Sequence, residues 1–138
     1  MFLDTLMRRN PAFIEAAMSL HQQGKIPANS YVLDLDTVEH NAKTFSETAT
    51  KLGLKTFAMT KQVARHSGFC QALIRGGITR SVAVDMDCAV ACHRAGLKTG
   101  HLGHLVQVPH GDAEFAAAQL QPDYWTVFSH DKAKEAAA

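Results

Sequence analysis

Short runs rich in β-branched and aromatic residues alternate along the chain with longer stretches whose apolar positions recur every three or four residues. The runs are Tyr31–Asp36, Lys55–Thr60, Ser81–Met86, His104–Pro109 and Tyr124–Ser129, and their starts lie about 25 residues apart. Between the first two, Val38, Ala42, Phe45, Ala49 and Leu52 make an amphipathic helical stripe that Gly53 stops. The same grammar returns in Phe69, Leu73 and Ile74 before Gly76-Gly77, in Ala89 to Ala95 before Gly96, and in Phe115 to Leu120 before Pro122. Ahead of the first run, Pro11 to Gln23 forms one more helical pattern, with Asn10 as N-cap, Pro11 in the first turn and Gly24 at the end.

Strand followed by helix, repeated with Gly-punctuated turns, predicts an α/β fold built from about five βα units around a parallel sheet. Two architectures satisfy it: an open doubly wound sheet, or part of a (β/α)8 TIM-type barrel. Eight units at this period need roughly 200 residues, whereas the chain has 138. The expected organisation is one domain, with an N-terminal cap helix segment over 1–28 and five βα units over 29–138. Asp131 to Ala138 favour helix, so the fifth helix looks unfinished.

Composition narrows the function classes. Hydrophobic residues make up 46% of the chain and charged residues 20%, as in a packed globular domain. Fourteen Lys and Arg against thirteen Asp and Glu leave a net charge of +1, too little to neutralise a run of phosphates, so nucleic acid is not an expected partner. No apolar stretch reaches about 18 residues, and Arg8, Arg9, Asn10 and Pro11 interrupt any signal-like N-terminus, which predicts a cytoplasmic protein with no membrane span. Three cysteines, Cys70, Cys88 and Cys92, are an odd number for a disulfide framework and read as small buried apolar residues.

In a parallel α/β sheet the reactive groups gather at the C-terminal strand ends. Those ends offer Asp34 and Asp36, Lys61, Asp85 and Asp87, Gln107 and His110, and Ser129 and His130. Asp34 suits a hydrogen-bonded structural carboxylate, and Asp36-Thr37 ahead of Glu39 suits a helix N-cap. His101, His104 and His110 invite a metal reading, but Gly100 and Gly103 point to a loop and no third carboxylate is placed, so no metal is expected. Lys61 differs from most lysines of the chain because it directly follows the largely apolar run Phe57-Ala-Met-Thr60. An amine delivered there could act on a carbonyl in Schiff-base chemistry, or be simply a solvated strand-end lysine.

Tyr31-Val-Leu-Asp-Leu-Asp36-Thr-Val-Glu-His-Asn41, followed by Lys55-Thr-Phe-Ala-Met-Thr-Lys61, resembles the opening of alanine-racemase-type, fold-type III pyridoxal-phosphate enzymes. The similarity continues through Leu73-Ile-Arg-Gly-Gly77, through Ser81 to Gly96 and into Val127-Phe-Ser-His130, covering about Asn29 to Ala138. The resemblance implies that Lys61 is the lysine that forms a Schiff base with pyridoxal 5'-phosphate, and that it moves a proton at the Cα of a small-molecule amino-acid substrate. It also implies cofactor-binding roles for Arg65 and His66. Where alanine racemases usually carry Lys-Ala-Asn-Ala-Tyr-Gly-His-Gly, this chain has Lys61-Gln-Val-Ala-Arg65-His66-Ser-Gly68, so an arginine stands at the tyrosine position. A guanidinium there could grip phosphate or substrate carboxylate, or sit on the surface of the second helix. Racemase chemistry is accordingly expected alongside decarboxylase, aldolase or other lyase chemistry on the same fold.

The resemblance places phosphate loops, a pyridine-nitrogen partner and a second catalytic base on later strands and a further β-domain, so the 138 residues are expected to be catalytically incomplete, a truncated barrel. The alternative of another class is a noncatalytic interaction module, forming a homodimer or self-associating through the edge of an incomplete barrel.

Overall fold

A computed structural model describes residues 2–138, which fall into two compact units that divide after Asp34. In the first unit, helix α1 (Phe2–Arg9) precedes helix α2 (Pro11–Gln22). Asn10 caps α2 as its type and position dictate: its side-chain oxygen accepts from Phe13 N at 3.2 Å, while its amide donates to the Asp34 carboxylate at 2.9 Å. Asp34 is therefore a hydrogen-bonded structural carboxylate, and α1 is a helix additional to the expected cap.

The second unit begins with helix α3 (Leu35–Lys51) and carries strands β1 (Ala58–Met59), β2 (Arg80–Val82), β3 (Lys98–Leu102) and β4 (Tyr124–Trp125). Between them lie helices α4 (Ser67–Arg75), α5 (Met86–Arg94) and α6 (Ala113–Phe115), the last running into a π-helical turn at Ala116–Leu120, and α7 (His130–Ala137) follows β4. The strands form one sheet in the order β1-β2-β3-β4, every pair parallel. One row across it runs Met59, Val82, His101, Tyr124. The α/β class and the parallel sheet thus stand as expected, with four strands rather than five among the described residues.

Two of the expected strands are corrected. Residues 31–34 form no strand, and Leu35 and Asp36 open α3 instead, where Asp36 favours the positive end of the helix dipole. Tyr31 is 83% exposed, so the β-propensity of this run has no packed surface to act on. The fourth strand lies six residues earlier than its β-branched signal. Gly103, at φ 76°, ends β3, and the expected strand 104–109 folds back as a loop in which the His104, Leu105 and Val106 N–H groups donate to the Ala83 and Val84 carbonyls.

The strand itself, Lys-Thr-Gly-His-Leu, has weak intrinsic preference and is held by packing. Thr99 and Leu102 are buried, and the Phe57 ring occupies the space where a Cβ on Gly100 would stand, 2.1 Å from the nearest ring atom. Helix α5 supplies much of the core: Cys88, Ala89 and Cys92 pack with Leu97, Leu102 and Leu120. Helix α3 buries only Ala42 fully, leaving Phe45 and Leu52 of the expected apolar stripe exposed. Among the described residues no helix is long and apolar enough to cross a membrane.

Candidate functional site

Parallel pairing of all four strands brings their C-terminal ends to one edge of the sheet, and the chain leaving each end carries the polar groups singled out in the sequence. After β1, Thr60 is wholly buried and a 3-10 turn, Lys61–Val63, follows at once. Val63 N and Arg65 N both donate to the Thr60 carbonyl, at 3.2 and 3.1 Å, so the turn winds tightly on the strand end. Lys61 is exposed there, and among the described residues no group pairs with its amine. An amine at a strand edge without a counter-ion is free to take a carbonyl partner.

The turn closes through two successive left-handed residues, Ala64 at φ 52° and Arg65 at φ 56°. Neither is glycine, and a non-glycine residue in this region carries a conformational cost that tertiary contacts must offset. The Arg65 guanidinium meets the Asp85 carboxylate at 3.8 Å, and its interaction with the Cys88 sulfur and with that carboxylate holds its pKa above the usual arginine value. Arg65 thus lies in the turn ahead of α4 rather than on the helix, engaged with α5. Its Nε is buried with no hydrogen-bond partner among the described residues. His66 occupies the N-cap position of α4 without making a side-chain cap, its exposed ring lying over Gly68.

Beneath the turn sits a thiol cluster. Asp85 is the N-cap of α5 and accepts from Cys88 N at 2.7 Å, placing Cys88 in the first helical turn and Cys92 one turn later on the same face. The Thr60 hydroxyl contacts the Cys92 sulfur at 3.1 Å, and the Cys70 thiol donates to the Arg65 carbonyl at 3.8 Å. All three cysteines are free and buried, as their apolar neighbours predict. Hydrogen bonding from Cys92 pulls the Cys88 thiol down to about 5 against the opposing effect of burial, with Arg65 assisting. Cys92 is correspondingly driven up, first by its hydrogen bond to Cys88 and then by burial. The two thiols are thus driven in opposite directions, Cys88 down and Cys92 up.

At the end of β3, the His101 imidazole bonds the Thr126 hydroxyl, and its ring meets His104 edge-on with centroids 5.5 Å apart. Burial and then the neighbouring His104 lower its pKa. Gln107 ties the next loop to the β4 end through the Thr126 carbonyl and the Phe128 N–H. His110 pairs instead with Glu135 of α7 at 3.2 Å, and among the described residues no three His, Cys, Asp or Glu side chains are grouped to hold a metal. Lys61, Arg65 and Asp85 therefore share one part of the edge and His101 and His104 another, while His110 faces α7.

Sequence reasoning missed the link between Arg65 and α5 and the one between Thr60 and Cys92. One signal was legible: Asp85 three residues before Cys88, with Cys92 four beyond, places an N-cap and two thiols on one helical stripe.

No family model matches the chain. Over 139 aligned residues, which take in the whole chain, it is 45% identical to a protein of Escherichia coli (strain K12) described as uncharacterized protein YhfX. The chain spans about a third of that relative's length, 35%. The likeness therefore bears on a portion of a longer relative.

Proposed function

We propose that this chain carries the cofactor-lysine portion of a pyridoxal-phosphate-dependent, racemase-like barrel acting on an amino acid, with Lys61 as the lysine. The observation that carries the reading is the unpaired Lys61 amine, set directly after a buried strand end at the C-terminal edge of an all-parallel sheet. The strand order gives further support. A doubly wound sheet reverses its order at a switch point, whereas β1 to β4 follow one another without reversal, as an arc of a (β/α)8 barrel does.

The residues fit the cofactor in part. Lys61 Nζ suits an imine to an aldehyde, and His66, exposed at the start of α4, adjoins it along the chain. Arg65 faces Asp85 at 3.8 Å, so the carboxylate competes with a phosphate for the guanidinium to which the resemblance gives a cofactor-binding role. Pyridoxal phosphate, when bound, withdraws electrons from the substrate Cα and so acidifies its C–H bond. The chain's own contribution is the Lys61 amine, which binds the aldehyde and, once released, can hold or move the Cα proton at Nζ. Racemisation takes a proton from Cα and returns one, whereas decarboxylation and aldol cleavage break a carbon–carbon bond at Cα and need a proton delivered there afterwards; isomerase chemistry is the form the resemblance favours.

The test is to mix the purified chain with pyridoxal phosphate, reduce with borohydride, and map the modified peptides by mass spectrometry. The expected result is a pyridoxyl adduct concentrated on Lys61 and lost in Lys61→Ala. An adduct spread evenly over the lysines, or labelling unchanged in Lys61→Ala, overturns the reading.

A further inference from the structure

The turn that carries Lys61 touches helix α5 at both of its ends. At its start, Thr60 is wholly buried with its hydroxyl on the Cys92 sulfur. At its finish, Arg65 meets at 3.8 Å the Asp85 carboxylate that caps α5. Between these anchors the exposed Lys61 side chain has no partner among the described residues. The two left-handed residues at the finish show that the backbone does not choose this path by itself, because Ala64 and Arg65 both adopt it against their intrinsic preference.

We propose that Asp85 and Cys92 are positioning residues, a two-point clamp by which α5 holds the Lys61 turn at the sheet edge. The functional sense of this clamp rests on the cofactor-lysine reading, but its mechanical content does not. Arg65 and Asp85 are both about one-third exposed, so the ion pair holds its end of the turn with the modest strength of a partly solvated pair, up to about fivefold in the closed-to-open ratio. The Thr60–Cys92 contact is fully buried, where loss of one partner leaves the other hydroxyl unsatisfied. The Asp85 carboxylate has two tasks that separate chemically: capping Cys88 N needs an acceptor oxygen, and pairing Arg65 needs a charge. Asp85→Asn keeps the first and removes the second, since asparagine caps as well as aspartate.

Trypsin reads the clamp without any cofactor, because Lys61–Gln62 lies inside the turn while Lys98–Thr99 lies in β3 and opens only with the sheet. Asp85→Asn and Cys92→Ala are expected to raise cleavage at Lys61–Gln62 two- to fivefold under native conditions while leaving Lys98–Thr99 unchanged. Cys92→Ser, which restores a group able to bond Thr60, is expected to return cleavage to the parent rate. Arg65→Gly relieves the left-handed strain but deletes the ion pair, and it is expected to raise cleavage as Asp85→Asn does. Protection in Arg65→Gly, or equal acceleration at both bonds in any variant, overturns the clamp. In borohydride labelling with pyridoxal phosphate, Asp85→Asn and Cys92→Ala are expected to lower the share of adduct on Lys61 several-fold. A parent chain cut as described but unlabelled at Lys61 overturns the cofactor reading alone, and a labelled parent whose variants label and cut identically overturns the clamp alone.

Discussion

Two cysteines one helical turn apart have their thiols shifted in opposite directions, and that difference has a thermodynamic signature. Cys88 gives up its proton in the folded protein near pH 5, whereas an unfolded thiol does so near 9. The unfolded chain therefore binds more protons through that interval, and stability rises with pH across it. The Cys88 contribution is complete above about pH 9 and is lost as pH falls to about 5. Cys92 acts in the opposite direction, because its folded thiol keeps a proton that the unfolded one has released above 9, so the gain reverses beyond the ordinary thiol range. Denaturant midpoints measured from pH 5 to 10 are expected to climb and then turn down in the parent, and the climb between 5 and 9 is expected to flatten in Cys88→Ser. Parallel profiles for the two proteins would contradict the lowered Cys88 thiol.

At the scale of elements, glycines set how closely the helices approach. A Cβ on Gly76 at the end of α4 would stand 2.4 Å from the Ala42 Cβ of α3 and 2.7 Å from the Glu39 carbonyl, both too close for any real side chain. The same contact carries the Ser46 hydroxyl bond to the Gly76 carbonyl at 2.7 Å and the Arg75–Glu39 ion pair at 2.6 Å. Gly76→Ala must push α3 away or bend it, and overpacking of this kind costs about 1–3 kcal/mol. The expected outcome is a lowered thermal midpoint together with faster amide exchange in α3, while β2 and β3 keep their protection. Sequence periodicity located α3, α4 and α5 well because their glycine stops and caps are local signals: Gly53, Gly76 and Gly96 follow the helices they end. Strands were harder to place. Their positions depend on ladder partners and on fits such as Phe57 over Gly100, which no local pattern records, so a β-branched loop at 104–109 outweighed the true strand at Lys98–Leu102. Lys61 was legible from its place after an apolar run, whereas the engagement of Arg65 with Asp85 and Cys88 needed the fold to bring a turn and a helix start together.

At the scale of the whole molecule, the sheet has two open sides. Among the described residues β1 pairs with β2 alone and β4 with β3 alone, so each outer strand presents unpaired N–H and C=O groups. Both edges are short, two residues of regular strand each, which limits how far another strand could zip onto them. Apolar exposure works the other way. Phe45 on α3 and Leu52 just past its end, Leu105 and Val106 in the loop after β3, and Tyr124 and Phe128 around β4 are all more than half exposed, and surfaces of this kind drive association when they are contiguous. With short edges the hydrophobic term dominates, and association is expected to depend on side chains more than on backbone pairing. Light scattering over a concentration series is expected to show an apparent mass that grows with concentration. Phe128→Ser with Leu105→Ser is expected to reduce that growth, whereas breaking the edge ladder with Met59→Pro is expected to destabilise the fold without reducing it. A monomer at every concentration would mean that these side chains lie too far apart to make one adhesive surface.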